Sequence, residues 1–182
     1  MTHRHPLPRI WLMTDPRFGD ELPDAVRRLP TGSGVVFRHY ELSEPGRHLL
    51  FGRLARICRR RGIVILLAGT EKDARHWHAN GFHRRSSGKS RLIHSMAVHD
   101  RTELALARQL RADLVFISPL FATASHREQR PLGRLAFNRL AKQAGPMKVI
   151  ALGGVTPARA RTLPRSLIHG WAGIDAFRKK RR

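Results

Sequence analysis

Short apolar runs alternate with stretches of helical period along nearly the whole chain. Ile10–Thr14 reads as a strand and Pro23–Leu29 as a short helix. Gly34–Tyr40, rich in Val and Phe, is the next strand. Ser43, with Pro45 two residues on, opens a helix carrying Leu49, Leu50, Leu54 and Ile57 on one face, and Gly62 closes it. Ile63–Leu67 is a strand, Glu71–Ala79 a helix, Gly81–Arg84 a very short strand and Leu92–Val98 a longer one. A polar loop at 86–90 separates the last two. Asp100 and Glu103 stand at capping-box spacing ahead of Leu104, Ala107 and Leu110. Leu114–Ser118 is a strand, 122–133 a long polar loop, Leu135–Ala144 a helix and Lys148–Leu152 a strand. Thr156-Pro157 supplies the cap and first residue of another helix, and Leu167–Ile174 is the last strand.

Eight strands with about seven helical connections predict a parallel α/β architecture. Eight favours a closed (β/α)8 TIM barrel over an open sheet. At 182 residues the barrel is minimal, and its final helix is expected to be truncated, because only Phe177–Arg182 follow the last strand. Residues 1–177 read as one domain and 178–182 as a basic tail.

Composition adds a charge problem. Lys and Arg number 35 against 13 Asp and Glu, a formal net charge of +22. With 41% hydrophobic residues, this is no acidic disordered chain. Of the 35 cations, 29 are Arg, whose planar fork matches phosphate and carboxylate. They are scattered, apart from Arg59-Arg60-Arg61 at a helix end and the tail. One Tyr and no aromatic-rich ribonucleoprotein strand disfavour nucleic acid. The single cysteine, Cys58, lies on a helix face as a small core residue. A lone cysteine forms no internal disulfide, which points to a reducing compartment. The polar start and the absence of a long apolar run predict a cytoplasmic protein with no membrane association.

Barrel chemistry gathers at the C-terminal ends of strands. Those positions here are Asp15, Arg38 with His39 and Tyr40, Gly69, His83 with Arg84 and Arg85, His99, the loop Thr123–His126, Gly153-Gly154, and Asp175. The set is rich in His and Arg and poor in carboxylates. Gly153-Gly154 is the most informative pair: a glycine turn lets backbone N–H groups approach a phosphate, and also serves as a plain strand-to-helix turn. Thr123, Ser125 and His126 bring hydroxyls and an imidazole to a loop longer than a connection needs. The histidine spacings match no zinc signature, and His83 shows no partner along the chain.

These pieces, in this order, resemble the thiamine phosphate synthase / TenI family. The likeness rests on Thr14-Asp15, on Arg38 in Val36-Phe37-Arg38-His39-Tyr40, on Gly81-Phe82-His83, and on Ala97-Val98-His99 with Glu103. It continues through Ser118-Pro119-Leu120-Phe121-Ala122-Thr123-Ala124-Ser125-His126 to Gly133, through Val149–Gly154, and through Gly170–Ile174. The resemblance implies a (β/α)8 barrel that joins a hydroxymethylpyrimidine diphosphate to a thiazole phosphate and releases pyrophosphate. It implies small phosphorylated thiazole and pyrimidine ligands as partners. It assigns catalysis to Arg38, His99, Ser125 and His126, and substrate or phosphate binding to Thr123, Gly153, Gly154, Ile174, Asp175 and Arg84.

Departures from the family pattern are as informative. Its second-strand Gln and Lys are Val36 and Tyr40 here, and its Asn-Asp-Arg after the third strand is Ala68-Gly69-Thr70. The Asp expected near 86–88 has no counterpart. The family expects Mg²⁺, but both of its carboxylate ligands are missing, so no metal ligand and no cofactor is assigned. Arg38, Arg84 and Arg85 are candidates to pair with phosphate directly. The loop Lys is His126, and Asp175 stands where a Ser is usual, with a charge that repels phosphate unless the side chain turns away. Two alternatives stay open: a TenI-like tautomerase or other metal-independent acid/base enzyme using His126 and His99, and a catalytically silent binder of phosphorylated ligands. A second copy of the chain over the last strand is a further option.

Overall fold

The computed structural model describes residues 6–86, 90–123 and 130–179. Eight strands run in chain order: β1 (Ile10–Met13), β2 (Gly34–Phe37), β3 (Val64–Leu67), β4 (Gly81–His83), β5 (Ile93–Val98), β6 (Leu114–Ile117), β7 (Lys148–Ala151) and β8 (Gly170–Gly173). Each pairs in parallel with the next, and β8 pairs with β1, closing a barrel. The helices are α1 (Leu22–Arg27), α2 (Glu44–Arg60), α3 (Glu71–His76), α4 (Arg101–Gln109), α5 (Gly133–Lys142) and α6 (Pro157–Arg161).

The strands read as unbroken apolar runs because both faces are buried. Inward residues form one cluster: Trp11, Met13, Val36, Leu66, Ala68, Ile93, Leu114, Phe116, Ile150 and Ala172. Outward residues of β1–β4, with Phe82 among them, pack under α1–α3; those of β5–β8 pack under α4–α6. Trp11 fills the barrel axis edge-on to Phe116, its indole N–H donating to the Pro8 carbonyl at 2.8 Å. Gly34, its register partner, is glycine because a Cβ there would collide with the indole ring.

Several boundaries differ from the sequence-based expectation. A 3-10 segment, Pro16–Glu21, precedes α1, because Asp15 accepts from the Arg17 N–H and starts a turn at once. Among the described residues there are six α-helices, against about seven helical connections expected, and none is described between β4 and β5, where the sequence reading places a polar loop. At α4 the capping box is displaced: Asp100 accepts from the Glu103 N–H, but the Glu103 carboxylate reaches back to the His99 N–H. A complete box forms instead at α3, between Thr70 and Asp73. After β8 comes a short 3-10 turn, Asp175–Phe177, and the Phe177 ring stacks on Trp171 at 5.3 Å and 6°. That stack covers part of the outer face of β8.

Candidate functional site

A cleft of about 970 Å³ opens at the C-terminal ends of the strands. Its lining includes Arg38, His99, Thr123, Gly153, Gly154, Ile174 and Asp175, all singled out from the sequence. Ser125 and His126 lie outside the described residues. Arg84 and Arg85 are not brought there. Arg84 is exposed after His83 has turned inward, and Arg85 is drawn into an ion pair with Glu103.

One wall is built at the ends of β1 and β2. The Arg38 guanidinium is largely enclosed; its Nε donates to the Thr14 carbonyl at 2.8 Å and an Nη to Asp15 at 3.2 Å. Burial lowers the Arg38 pKa, and Asp15 pulls it back up. Asp15 in turn is half-buried, which raises its pKa, but the donors of Arg17 and the charge of Arg38 outweigh this and hold it below the usual carboxylate range. Next comes His39 with φ 44°, a left-handed conformation that costs an L residue about 1–2 kcal/mol. Its ring is buried, with Nδ1 2.7 Å from Glu41 and Nε2 without a partner. This turn leaves Arg38 inside the cleft and lifts Tyr40 onto the rim.

The floor carries His83. Ser95 donates its hydroxyl proton to the Phe82 carbonyl at 3.2 Å, so its oxygen accepts from His83 Nδ1–H at 2.9 Å. That assigns the proton to Nδ1 and leaves the Nε2 lone pair for a ligand. Burial, reinforced by the charge of Arg38, pushes the imidazole down to about 4. His83 is therefore a neutral acceptor at neutral pH. The chain gave no hint of this partner, because Ser95 is 12 residues away and adjacent only through β-pairing.

This depression has a consequence for stability. The ordinary pKa of 6.5 applies to the unfolded chain. As pH falls below it, the unfolded chain takes up a proton that the folded one refuses. Stability is then full above 6.5 and declines towards pH 4, by up to about 3 kcal/mol. Denaturant unfolding at pH 7 and 4.5 should show a larger loss for the wild type than for His83→Asn; equal losses would contradict the assignment.

The opposite wall joins β6, β7 and β8. Gly153 and Gly154 have φ of 90° and 62°, and a Cβ on Gly153 would lie 2.6 Å from the Pro119 Cα. The segment after β6 is laced to this turn, with the Phe121 N–H donating to the Gly153 carbonyl at 3.0 Å. The glycines thus have a packing reason, and the lacing is what brings Thr123 to the cleft. Three further arginines line this side: Arg159, Arg161 and Arg178. Arg159 donates to the Gly154 carbonyl at 2.7 Å and lies 4.8 Å above the Phe121 ring. Arg159 and Arg161 were missed from sequence because they come from α6, two and four residues beyond its first residue. Asp175 does not stand as a bare repelling charge: Oδ1 accepts from Arg17 at 3.2 Å and Arg178 at 3.4 Å.

Three more carboxylates near this rim are engaged. Glu103 takes Arg85 and His99, Glu71 takes Arg75 and Ser90, and Asp73 caps α3. Among the described residues, no group of three or more His, Cys, Asp or Glu is assembled that could hold a metal ion.

Residues 11–177 match the family described as thiamine monophosphate synthase. A thiamine-phosphate synthase of Synechococcus is 29% identical over 173 residues, 86% of this chain and 48% of that protein. The chain thus spans about half the length of that relative. A putative thiamine-phosphate synthase of Aquifex aeolicus is 23% identical, covering 94% of this chain and 98% of that one. Among solved structures, a thiamine phosphate pyrophosphorylase from Pyrococcus furiosus superposes with a TM-score of 0.76 at 17% identity, over 92% of this chain and 86% of that one. A 2-keto-3-deoxy-6-phosphogluconate aldolase of Zymomonas mobilis reaches 0.61 at 14%, over 92% and 81%. At these identities the structural likenesses concern the fold.

Proposed function

The chain belongs to the thiamine monophosphate synthase family, and on that premise we propose that it joins a hydroxymethylpyrimidine diphosphate to a thiazole phosphate. The observation that carries this reading is the charge of the cleft. Arg38, Arg159, Arg161 and Arg178 line it, against Asp175 as the one carboxylate among its described lining residues. Its volume lies at the upper end of the range for small-molecule sites, about 300–1,000 Å³, with room for two heterocycles.

In the proposed step the bond between the pyrimidine methylene carbon and the diphosphate oxygen breaks. The electron pair leaves with pyrophosphate, and the thiazole nitrogen lone pair attacks the methylene carbon. Negative charge grows on the leaving group, so cations fixed beside it stabilise the transition state more than the ground state. Arg38 is suited to that task, since it lines the cleft while Thr14 and Asp15 hold its Nε and one Nη in place. Arg159, Arg161 and Arg178 are suited to the thiazole's phosphate. Among the described residues the rim carboxylates Asp15, Glu71, Asp73 and Glu103 are already engaged and assemble no Mg²⁺ site, so on this reading charge is met by arginines. His83, through Nε2, accepts a hydrogen bond from a ligand N–H or O–H without competing for a proton.

Asp175 then works against phosphate by occupying Arg17 and Arg178. Asp175→Asn removes that competing charge and should tighten thiazole phosphate binding by about three- to tenfold, roughly 1 kcal/mol. Isothermal titration of wild type and variant measures this. Weaker binding by the variant would reverse the role given to Asp175, and absence of binding by both would remove the functional reading.

A further inference from the structure

Tyr40 is the one Phe, Trp or Tyr among the described residues that line this cleft. It lines the site, yet it is 68% exposed. Exposure of one ring is ordinary on a surface, but at the mouth of a concave site it leaves a flat aromatic face within reach of a bound ligand. Its position is also held from behind. The Arg47 guanidinium lies 5.3 Å from the Tyr40 ring centre, and 5.7 and 5.4 Å from those of Phe37 and Trp77, both buried. Arg47 itself is anchored at the ends of β2 and β3, donating from Nε to the Arg38 carbonyl at 2.9 Å and from Nη2 to the Ala68 carbonyl at 2.6 Å. The left-handed His39, tied to Glu41, fixes the chain on the other side.

We propose that Tyr40 is a stacking platform for the planar heterocyclic ring of the ligand, positioned by Arg47 and the His39 turn. One face of the phenol rests on a cation and the other is free, so a flat unsaturated ring can cover it with little further ordering of the side chain. The platform lies on the same wall as Arg38, and a ligand carrying both a diphosphate and an aminopyrimidine meets the two together. Ring recognition at this wall rests on the functional reading above, and it specifies which residue selects the heterocycle.

The chain contains a single tyrosine, which makes the test direct. Protein labelled with 3-fluorotyrosine has one ¹⁹F resonance. Hydroxymethylpyrimidine diphosphate should move it saturably, and inorganic pyrophosphate should leave it nearly still while still binding by calorimetry. Tyr40→Phe should bind the pyrimidine as the wild type does. Tyr40→Leu should bind it about five- to fiftyfold more weakly, with pyrophosphate affinity unchanged. Calorimetric binding of the pyrimidine with no movement of the resonance, or equal affinity in Tyr40→Leu, overturns the platform alone. No heat with either probe overturns the platform and the cleft's functional reading together.

Discussion

Arg38→Ala is expected to lower kcat/KM for the pyrimidine diphosphate by about 10²–10³-fold, some 3–4 kcal/mol of transition-state stabilisation. The side chain is enclosed, its Nε and one Nη are spent on Thr14 and Asp15, and the remaining donors are the ones available to a leaving diphosphate. Truncation removes a fixed charge from a site where water screens it poorly, and no neighbouring cation can move in. Arg17 is close, but its Nε is held by Asp15 at 2.7 Å and an Nη by Asp175. Arg38→Lys keeps a charge without the fork and should recover only part of the loss. The fold should survive, because Asp15 keeps Arg17, so the variant's thermal midpoint should stay close to that of the wild type. Loss of less than about threefold in kcat/KM would mean that the diphosphate does not meet this wall.

The second large effect is on stability. Gly170 begins β8 and lies in the seam where the barrel closes. A Cβ there would overlap the backbone of Arg9, including its carbonyl oxygen. That carbonyl cannot shift freely, since it accepts the Trp171 N–H at 2.8 Å. Gly170→Ala should therefore cost about 3 kcal/mol or more, lowering the thermal midpoint by roughly 6–12 °C. Gly52→Ala makes the opposite control. Gly52 sits within α2 with nothing within 4 Å of its added Cβ, and alanine there should stabilise by about 0.5–1 kcal/mol. A scan in which both variants melt with the wild type would refute the packing described for the β1–β8 seam.

The barrel was legible because its signals are local. Val36, Leu66 and Ile150 point inward while their neighbours point outward, and both faces are buried, so each strand shows as a short apolar run. Gly62 beyond α2 and Thr156-Pro157 before α6 are punctuation that needs no tertiary context. The displaced cap at α4 was not legible, because whether Glu103 reaches Asp100 or His99 depends on the angle at which β5 delivers the chain. The site divides the same way. Residues directly after a strand, such as Arg38, His99 and Ile174, fall at the cleft because the parallel register places every strand end there. Arg84 fails by the same rule: His83 takes the inward position and Arg84 the outward one. Arg159, Arg161 and Arg178 escape the rule because helical and 3-10 segments bring them back over the mouth. The His83–Ser95 bond and the left-handed His39 are set by tertiary contacts, which spacing along the chain does not encode.

If this arginine-lined cleft works as proposed, the protein makes thiamine phosphate in solution. The most direct measurement mixes the purified protein with hydroxymethylpyrimidine diphosphate and thiazole phosphate, with Mg²⁺ in the buffer, and quantifies thiamine phosphate and pyrophosphate over time. Both products should rise in equal amounts, and Arg38→Ala should form them at least about a hundredfold more slowly. Product no faster with the wild type than with Arg38→Ala would contradict the proposed function.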